Sequence, residues 1–348
     1  MKRALKGLVI MSLALIIGII STGCGDKRPI LNVYNWGDYI DPSVIKDFEE
    51  EFNVKVNYNT FATNEDMYVS LKKGGTSYDV AFPSDYMIER MIDEDMLEKI
   101  NKDNISNLNN IEDRFLNLDF DPNNDYSIPY MWGTVGIIYN KTMVDDVVDS
   151  WDILWNEKYS GQILMLDSQR DSIAIALKRL NYSINSRDEK ELEKAKEELI
   201  KQKPLVYAYV GDEVKDLMVG EEAAIAVVWS GDAVAMIRNN NNLEYAIPKE
   251  GTNLWFDNMV IPKNAKNKEM AEKFINFMQR PEIAVKNTDY IGYSTPNFKA
   301  KDLLPKDIVN SKVAYPTNEE IANTEIFNDP KDIIKLYDDI WLEIKAQR

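Results

Sequence analysis

Apolar and polar positions follow two different periods between Ile30 and Met91, and the alternation of those periods predicts alternating strands and helices. Ile30 to Tyr34 is apolar apart from Asn32 and reads as a strand. Asp41-Pro42 then supplies an N-cap with proline at the first helical position. Val44, Ile45, Phe48 and Phe52 follow at helical spacing, so one face of that helix is apolar. Val54, Val56 and Tyr58 alternate with polar residues and predict a second strand. Asn64 is expected to cap a short helix bearing Met67 and Leu71, with Gly74 at its end. Tyr78 to Phe82 reads as a third strand, followed by a helix with Met87 and Met91. Strand and helix in strict alternation imply an α/β fold with a parallel, doubly wound sheet.

The pattern returns further along. Ile163 to Leu166 is a short strand, and Ser172 to Leu180 a helix. Ala223 to Val228 is an uninterrupted apolar run of the kind a buried parallel strand needs. Leu254 to Ile261 is another strand. Arg187 to Lys203 is a charged surface helix with a thin stripe of Leu192, Ala195, Leu199 and Ile200. Lys268 to Met278, capped by Asn267, and Pro330 to Ile344 also show helical periodicity. No repeat of 20–50 residues is visible.

Unusual side chains cluster where these strands end. Trp36, Gly37, Asp38 and Tyr39 follow the first strand, Phe61, Thr63 and Asn64 the second, and Ser84, Asp85 and Tyr86 the third. Asp171 follows the fourth, and Trp229 and Asp232 the fifth. Trp255 and Asp257 sit in the last strand, and Tyr293 in the loop Ile291-Gly292-Tyr293. Carboxyl ends of parallel strands are where open α/β sheets bind ligands. Taken singly, a strand-end Trp is a packing residue more often than a ligand contact, and Asp171 or Asp232 could be no more than a helix cap. Trp132, Trp151, Trp155 and Trp341 fall outside the pattern and are assigned to packing.

Composition narrows the chemistry. The 348 residues carry a net charge of −17 and no histidine. Without histidine the usual general base, the Ser-His and Cys-His pairs and most zinc sites are gone. The acidity disfavours nucleic acid and favours a cationic ligand, although acidity also serves solubility alone. No Asp-x-Asp-x-Asp-Gly loop is present, so no metal or cofactor is expected. Aromatic faces attract alkylammonium groups, carboxylates add charge-assisted hydrogen bonds, and aromatic walls pack on methylenes. Lysine is missing from the set, and the nearby Arg170 can point away. A linear polyamine meets all three demands. A receptor for another organic cation, a sensory receptor for polyamines, and a carbohydrate hydrolase using Asp171 and Asp257 are alternatives with other outputs.

The amino terminus adds an address. Lys2, Arg3 and Lys6 precede the uncharged run Leu8 to Ile20, and Ser21, Thr22 and Gly23 lead to Cys24, the one cysteine of the chain. The order is that of a lipoprotein signal peptide, with Cys24 as the lipid-bearing first mature residue. The apolar run is short of the roughly 20 residues of a spanning helix. Bacterial lipoboxes usually carry Leu three residues before the cysteine, where this chain has Ser21. The first 23 residues hold three bases and no acid, so the mature part has 38 bases against 58 acids, a net charge of −20.

In several stretches the chain resembles the spermidine/putrescine-binding proteins of bacterial polyamine ABC importers. They are Tyr34-Asn35-Trp36, Pro83-Ser84, residues 121–130, residues 261–268, and Ile291-Gly292-Tyr293-Ser294-Thr295-Pro296-Asn297. The resemblance implies a periplasmic-binding-protein-like fold of two α/β lobes, several crossovers and a ligand cleft between lobes. Residues 1–23 would be the signal peptide and 24–29 a lipid-anchored linker. Lobe one would take 30–133 plus 256–302, and lobe two 134–255 plus 303–348. Trp36, Tyr39, Ser84 and Tyr86 would come from lobe one, Asp171 and Trp229 from lobe two, and Trp255, Asp257 and Tyr293 from near the crossing. Asp257 would grip an ammonium group. Spermidine-preferring relatives differ at Gly37, Ser168, Asp171 and Phe327, whereas Asp38 and Asp232 look like the putrescine pattern. The resemblance therefore implies a monomeric, non-enzymatic receptor for either polyamine, lying outside the cytoplasm and serving a membrane permease and its ATPase; no P-loop motif is present in this chain.

Overall fold

A computed structural model describes residues 27–347, so the expected signal peptide and Cys24 lie outside the described residues. Strand β1 (Ile30–Asn35) pairs in parallel with β2 (Lys55–Thr60) and β3 (Val80–Ala81). Helices α1 (Pro42–Phe52), α2 (Asn64–Lys73) and α3 (Asp85–Asp93) follow the three strands, the order that periodicity predicted. Asp41 caps α1, its carboxylate accepting the Ser43 N–H at 2.7 Å. Phe48 of α1 is fully buried and meets Phe274 edge-on at 5.0 Å. The α2 cap differs from expectation: Thr63 accepts the Asp66 N–H, and Asn64, one residue inside the helix, is freed for another task.

The second α/β unit has β5 (Ile163–Leu166) in parallel between β6 (Val206–Val210) and β7 (Ile225–Trp229). Helices α4 (Gln169–Arg179), α5 (Glu189–Gln202), α6 (Val214–Val219) and α7 (Ser230–Asn239) belong to this unit. In α5 the residues Leu192, Ala195 and Leu199 are buried and the charged face is solvated, as its thin apolar stripe requires. Helices α8 (Lys268–Met278) and α9 (Pro281–Ile291) return to the first unit, and a last helix, Ile334–Ala346, packs on α4 and α5.

Two strands break the parallel scheme. Strand β4 (Ser127–Asn140) runs 14 residues, buried almost throughout, and its pattern shows no alternation. Its first half pairs antiparallel with β9 (Leu254–Val260), from Ser127 opposite Val260 to Thr134 opposite Leu254. Its second half pairs antiparallel with β7 and with β8 (Leu243–Ala246), starting at Val135 opposite Trp229. Strand β9 is also antiparallel to β3. The order is therefore β2-β1-β3-β9-β4-β7-β5-β6, with β8 off β4. Expecting wholly parallel sheets was wrong at this seam. One long strand serves both units because it is shielded on both faces, and only backbone pairing sets its direction.

Trp132 and Trp151 are buried in the core and Trp155 and Trp341 pack against it, the structural role assigned to all four. At the seam, a Cβ on Gly133 would come within 2.5 Å of both Ser230 Oγ and the Trp255 ring, so β4 can pass there only as glycine.

Candidate functional site

Asp257 lies mid-strand in β9, at the seam, within the strand expected over Leu254 to Ile261. Its Oδ2 accepts the Tyr39 hydroxyl at 2.6 Å and its Oδ1 accepts the Ser84 hydroxyl at 2.6 Å. Loops after β1 and β3 thus converge on one carboxylate. The second loop is pinned to β9 by an Asn258 N–H donated to the Pro83 carbonyl at 3.0 Å. Asp85 ties the same loop down: it accepts the Phe256 N–H at 3.0 Å and the Tyr86 N–H at 2.7 Å, and burial pushes its carboxyl up to about 8. Asp257 is 6% exposed. Burial pushes its carboxyl up to about 6 against the pull of the two hydroxyls, and no Lys or Arg pairs with it among the described residues.

Aromatic rings wall this carboxylate. Tyr293 meets Trp255 edge-on at 5.1 Å and Tyr39 at 5.5 Å. Tyr39 is itself held by Tyr130, whose hydroxyl donates to the Tyr39 carbonyl at 2.7 Å. Trp36 is anchored by its indole N–H to the Phe82 carbonyl at 2.9 Å and lies 4.6 Å from Phe61. Trp255 Nε1 is buried with no hydrogen-bond partner. Trp229, half-buried, ends β7 and stands at the N-cap position of α7.

Two further acids of the candidate set are buried, Asp171 and Asp232. Asp171, in the first turn of α4, accepts the Ser168 hydroxyl at 2.7 Å through Oδ2, and the Asn253 side chain also supports its charged form. Burial raises its pKa, and the charge of Glu65, reaching over from α2, raises it further. Ser168 is the helix cap, so Asp171 is not spent on that role. Tyr86 donates to Glu65 at 3.0 Å, and Asn64 Nδ2 donates to Ser84 Oγ at 3.0 Å and Tyr86 Oη at 3.2 Å. Asn64→Ala is expected to lower unfolding free energy by about 1–3 kcal/mol, because the amide joins two hydroxyls in a buried position. A urea melt with unchanged slope and a lower midpoint is the expected result.

Asp232, in the first turn of α7, is buried, and burial pushes it up to about 6 although Lys215 Nζ lies 3.8 Å from it. Asp38 is exposed in the loop after β1, and its charge acts on the same lysine. Two cations lie near the candidate residues: Lys215, beside Asp232, and Arg170, whose guanidinium lies 4.4 Å from the Phe327 ring and 5.2 Å from the Tyr86 ring and donates to the Asn328 carbonyl at 3.1 Å.

Sequence reasoning missed Glu65, Asp212, Lys215 and Asn253, and it misread Asn64. The available signal for two of them was the alternation Val206, Ala208, Val210, which predicts a strand ending at Gly211-Asp212.

A model of the bacterial extracellular solute-binding proteins matches residues 43–317. The chain is 40% identical over 338 residues to the spermidine/putrescine-binding periplasmic protein of Escherichia coli (strain K12), covering 96% of this chain and 97% of that one. Among solved structures, a putative spermidine/putrescine ABC transporter from Listeria monocytogenes matches with a TM-score of 0.90 and 46% identity over 92% of this chain and all of that one. The spermidine/putrescine substrate-binding protein PotD of Streptococcus pneumoniae matches with a TM-score of 0.81, also at 46% identity, over 92% of this chain and 99% of that one. The expected periplasmic-binding-protein-like fold class is therefore borne out.

Proposed function

This chain belongs to the bacterial extracellular solute-binding proteins, and we propose that its cleft captures putrescine or spermidine and delivers it to the permease and ATPase of an ABC importer. Asp257 carries the reading. It is a buried carboxylate with two hydroxyl donors and, among the described residues, no Lys or Arg paired with it. Burying a charge without a partner costs several kcal/mol, and a ligand ammonium is the group that offsets it. Trp255, Tyr293 and Tyr39 supply faces for the flanking methylenes, at about 0.8 kcal/mol per CH₂ buried. Asp171, with Ser84 and Tyr86, and Asp38, with Trp36 and Trp229, supply polar and aromatic partners for the rest of the chain, whereas Asp232 already has Lys215 Nζ 3.8 Å away.

The two units are assigned as lobes, 30–133 plus 256–302 and 134–255 plus 303–348. The change of β4 partner from β9 to β7 between Thr134 and Val135 supports a boundary there. A ligand that contacts both lobes shifts the population toward a closed form, which the permease then reads. The receptor acts as a monomer outside the cytoplasm, held to the membrane by lipid on Cys24. No helix among the described residues is long and apolar enough to cross a membrane. Mass spectrometry of the mature N-terminus tests the anchor. The hydrolase reading through Asp171 and Asp257 loses ground, because relatives matched over nearly the whole chain are named for binding.

Thermal unfolding against putrescine, spermidine, spermine, choline and arginine tests the ligand class. A ligand at a hundred times its Kd adds about 2.7 kcal/mol to stability. A melting temperature raised by putrescine or spermidine and unmoved by choline and arginine is expected; no rise with any polyamine sinks the proposal.

The acids also set a pH dependence. Asp257 and Asp232 are both raised to about 6 by burial. For a carboxyl raised on folding, stability is present below the unfolded value and lost as pH rises through the folded one. An ammonium ligand needs the ionised form, so binding releases protons and strengthens as pH rises through about 6. Calorimetry is expected to show affinity falling about tenfold from pH 7.5 to 5 for each such acid the ligand engages.

A further inference from the structure

The three buried acids of the candidate ligand set are not equivalent. Among the described residues, Asp257 holds two hydroxyls and no cation, and Asp171 holds one hydroxyl with the Asn253 side chain beside it. Asp232 already has a cation. Lys215, in the first turn of α6, sets its Nζ 3.8 Å from Asp232 Oδ1 and 3.1 Å from Asp212 Oδ1. The Lys215 side chain is 28% exposed and that of Asp232 10%, so this contact is partly shielded from water. The loop carrying Asp38 also comes close, since a Cβ on Gly37 would stand 3.9 Å from Asp212 Oδ2. The lysine is thus surrounded by carboxylates from both α/β units. Burial lowers its pKa, but Asp232, Asp212 and Asp38 more than offset that, and it is held above its ordinary value.

Chemically, Lys215 Nζ is a primary alkylammonium, the same group that ends a polyamine. An ammonium arriving at Asp232 would meet a carboxylate already paired and a like charge within a few ångströms, which disfavours it. Resting on the polyamine reading above, we propose that Lys215 is a built-in ammonium that fills the Asp232 end of the cleft and discriminates against ligands bearing a third ammonium there. A diamine has its two charges met by Asp257 and the Asp171 end. A triamine has one more, and Lys215 holds its place.

Lys215→Met keeps the length of the side chain and removes the charge. Calorimetry with putrescine and spermidine on the purified wild-type, Lys215→Met and Lys215→Arg proteins tests the idea. The ratio of spermidine to putrescine affinity is expected to rise about tenfold or more in Lys215→Met, the size of one additional charge-assisted hydrogen bond to the triamine, and to stay at the wild-type value in Lys215→Arg. An unmoved ratio in Lys215→Met, or an equal gain for both ligands, overturns the role of Lys215 and leaves the polyamine reading standing. A parallel loss of both ligands also overturns it, as the mark of a merely structural ion pair. Lys215→Gln repeats the measurement should the methionine variant fold poorly. A wild-type protein that binds neither polyamine overturns the polyamine reading and this proposal with it.

Discussion

Asp257→Asn is expected to weaken putrescine and spermidine binding by roughly thirtyfold or more while leaving the ligand-free fold intact. Both oxygens of the carboxylate accept hydroxyls, from Tyr39 and Ser84, and no Lys or Arg among the described residues pairs with its charge. Removing one side of a buried charge pair costs about 2 kcal/mol or more, and each 1.4 kcal/mol is about tenfold in affinity. The unliganded protein has the opposite interest. It holds an uncompensated buried charge, and replacing that with a neutral amide of the same shape is neutral or stabilising. Binding and stability are therefore expected to move apart: the melting temperature without ligand is held or raised, and the rise produced by polyamine is lost. Trp255→Ala is expected to weaken binding about tenfold by removing one aromatic face. Wild-type affinity in both variants by calorimetry would remove these residues from the site.

Gly231→Ala is expected to lower stability and binding together. An alanine inside a helix ordinarily gains up to about 1 kcal/mol over glycine. Here its Cβ would stand 2.0 Å from the Tyr293 ring, and the turn at Gly292 blocks retreat, since a Cβ there would meet the Gly231 carbonyl at 2.8 Å. The ring must leave its place, which costs about 1–3 kcal/mol of overpacking. Tyr293 is also the edge partner of Trp255 and Tyr39 beside Asp257, so its displacement opens the wall of the site. A lower denaturation midpoint and a polyamine affinity reduced about tenfold are the expected readings. A stabilised variant with normal binding would show that the ring yields without consequence.

Much of this architecture is legible in the order of residues. Strict alternation of periods over residues 30–93 locates three strands and three helices, because each element buries one face and its period is a local property. The acids and aromatics after those strands are legible for the same reason, as polar residues at places where a core strand should turn. Asn64 was misread because Asn and Thr are both good caps and stand side by side; the choice fell to Thr63 only because Asn64 found Ser84 and Tyr86. Strand β4 was missed because a strand buried on both faces has no alternation to read.

What the chain alone determined was its chemical repertoire: no histidine, a net charge of −17, indoles and phenols next to carboxylates, and two α/β stretches in order. What the tertiary structure decided was which of those groups share a space. Periodicity reports how a strand is buried and says nothing of which neighbour it pairs with or in which direction. Laying β9 antiparallel between β3 and β4 carries residue 257 to residues 39 and 84, and folding α6 back toward α7 gives Asp232 a lysine that Asp257 lacks. Those pairings span long stretches of chain, and only packing in three dimensions sets them.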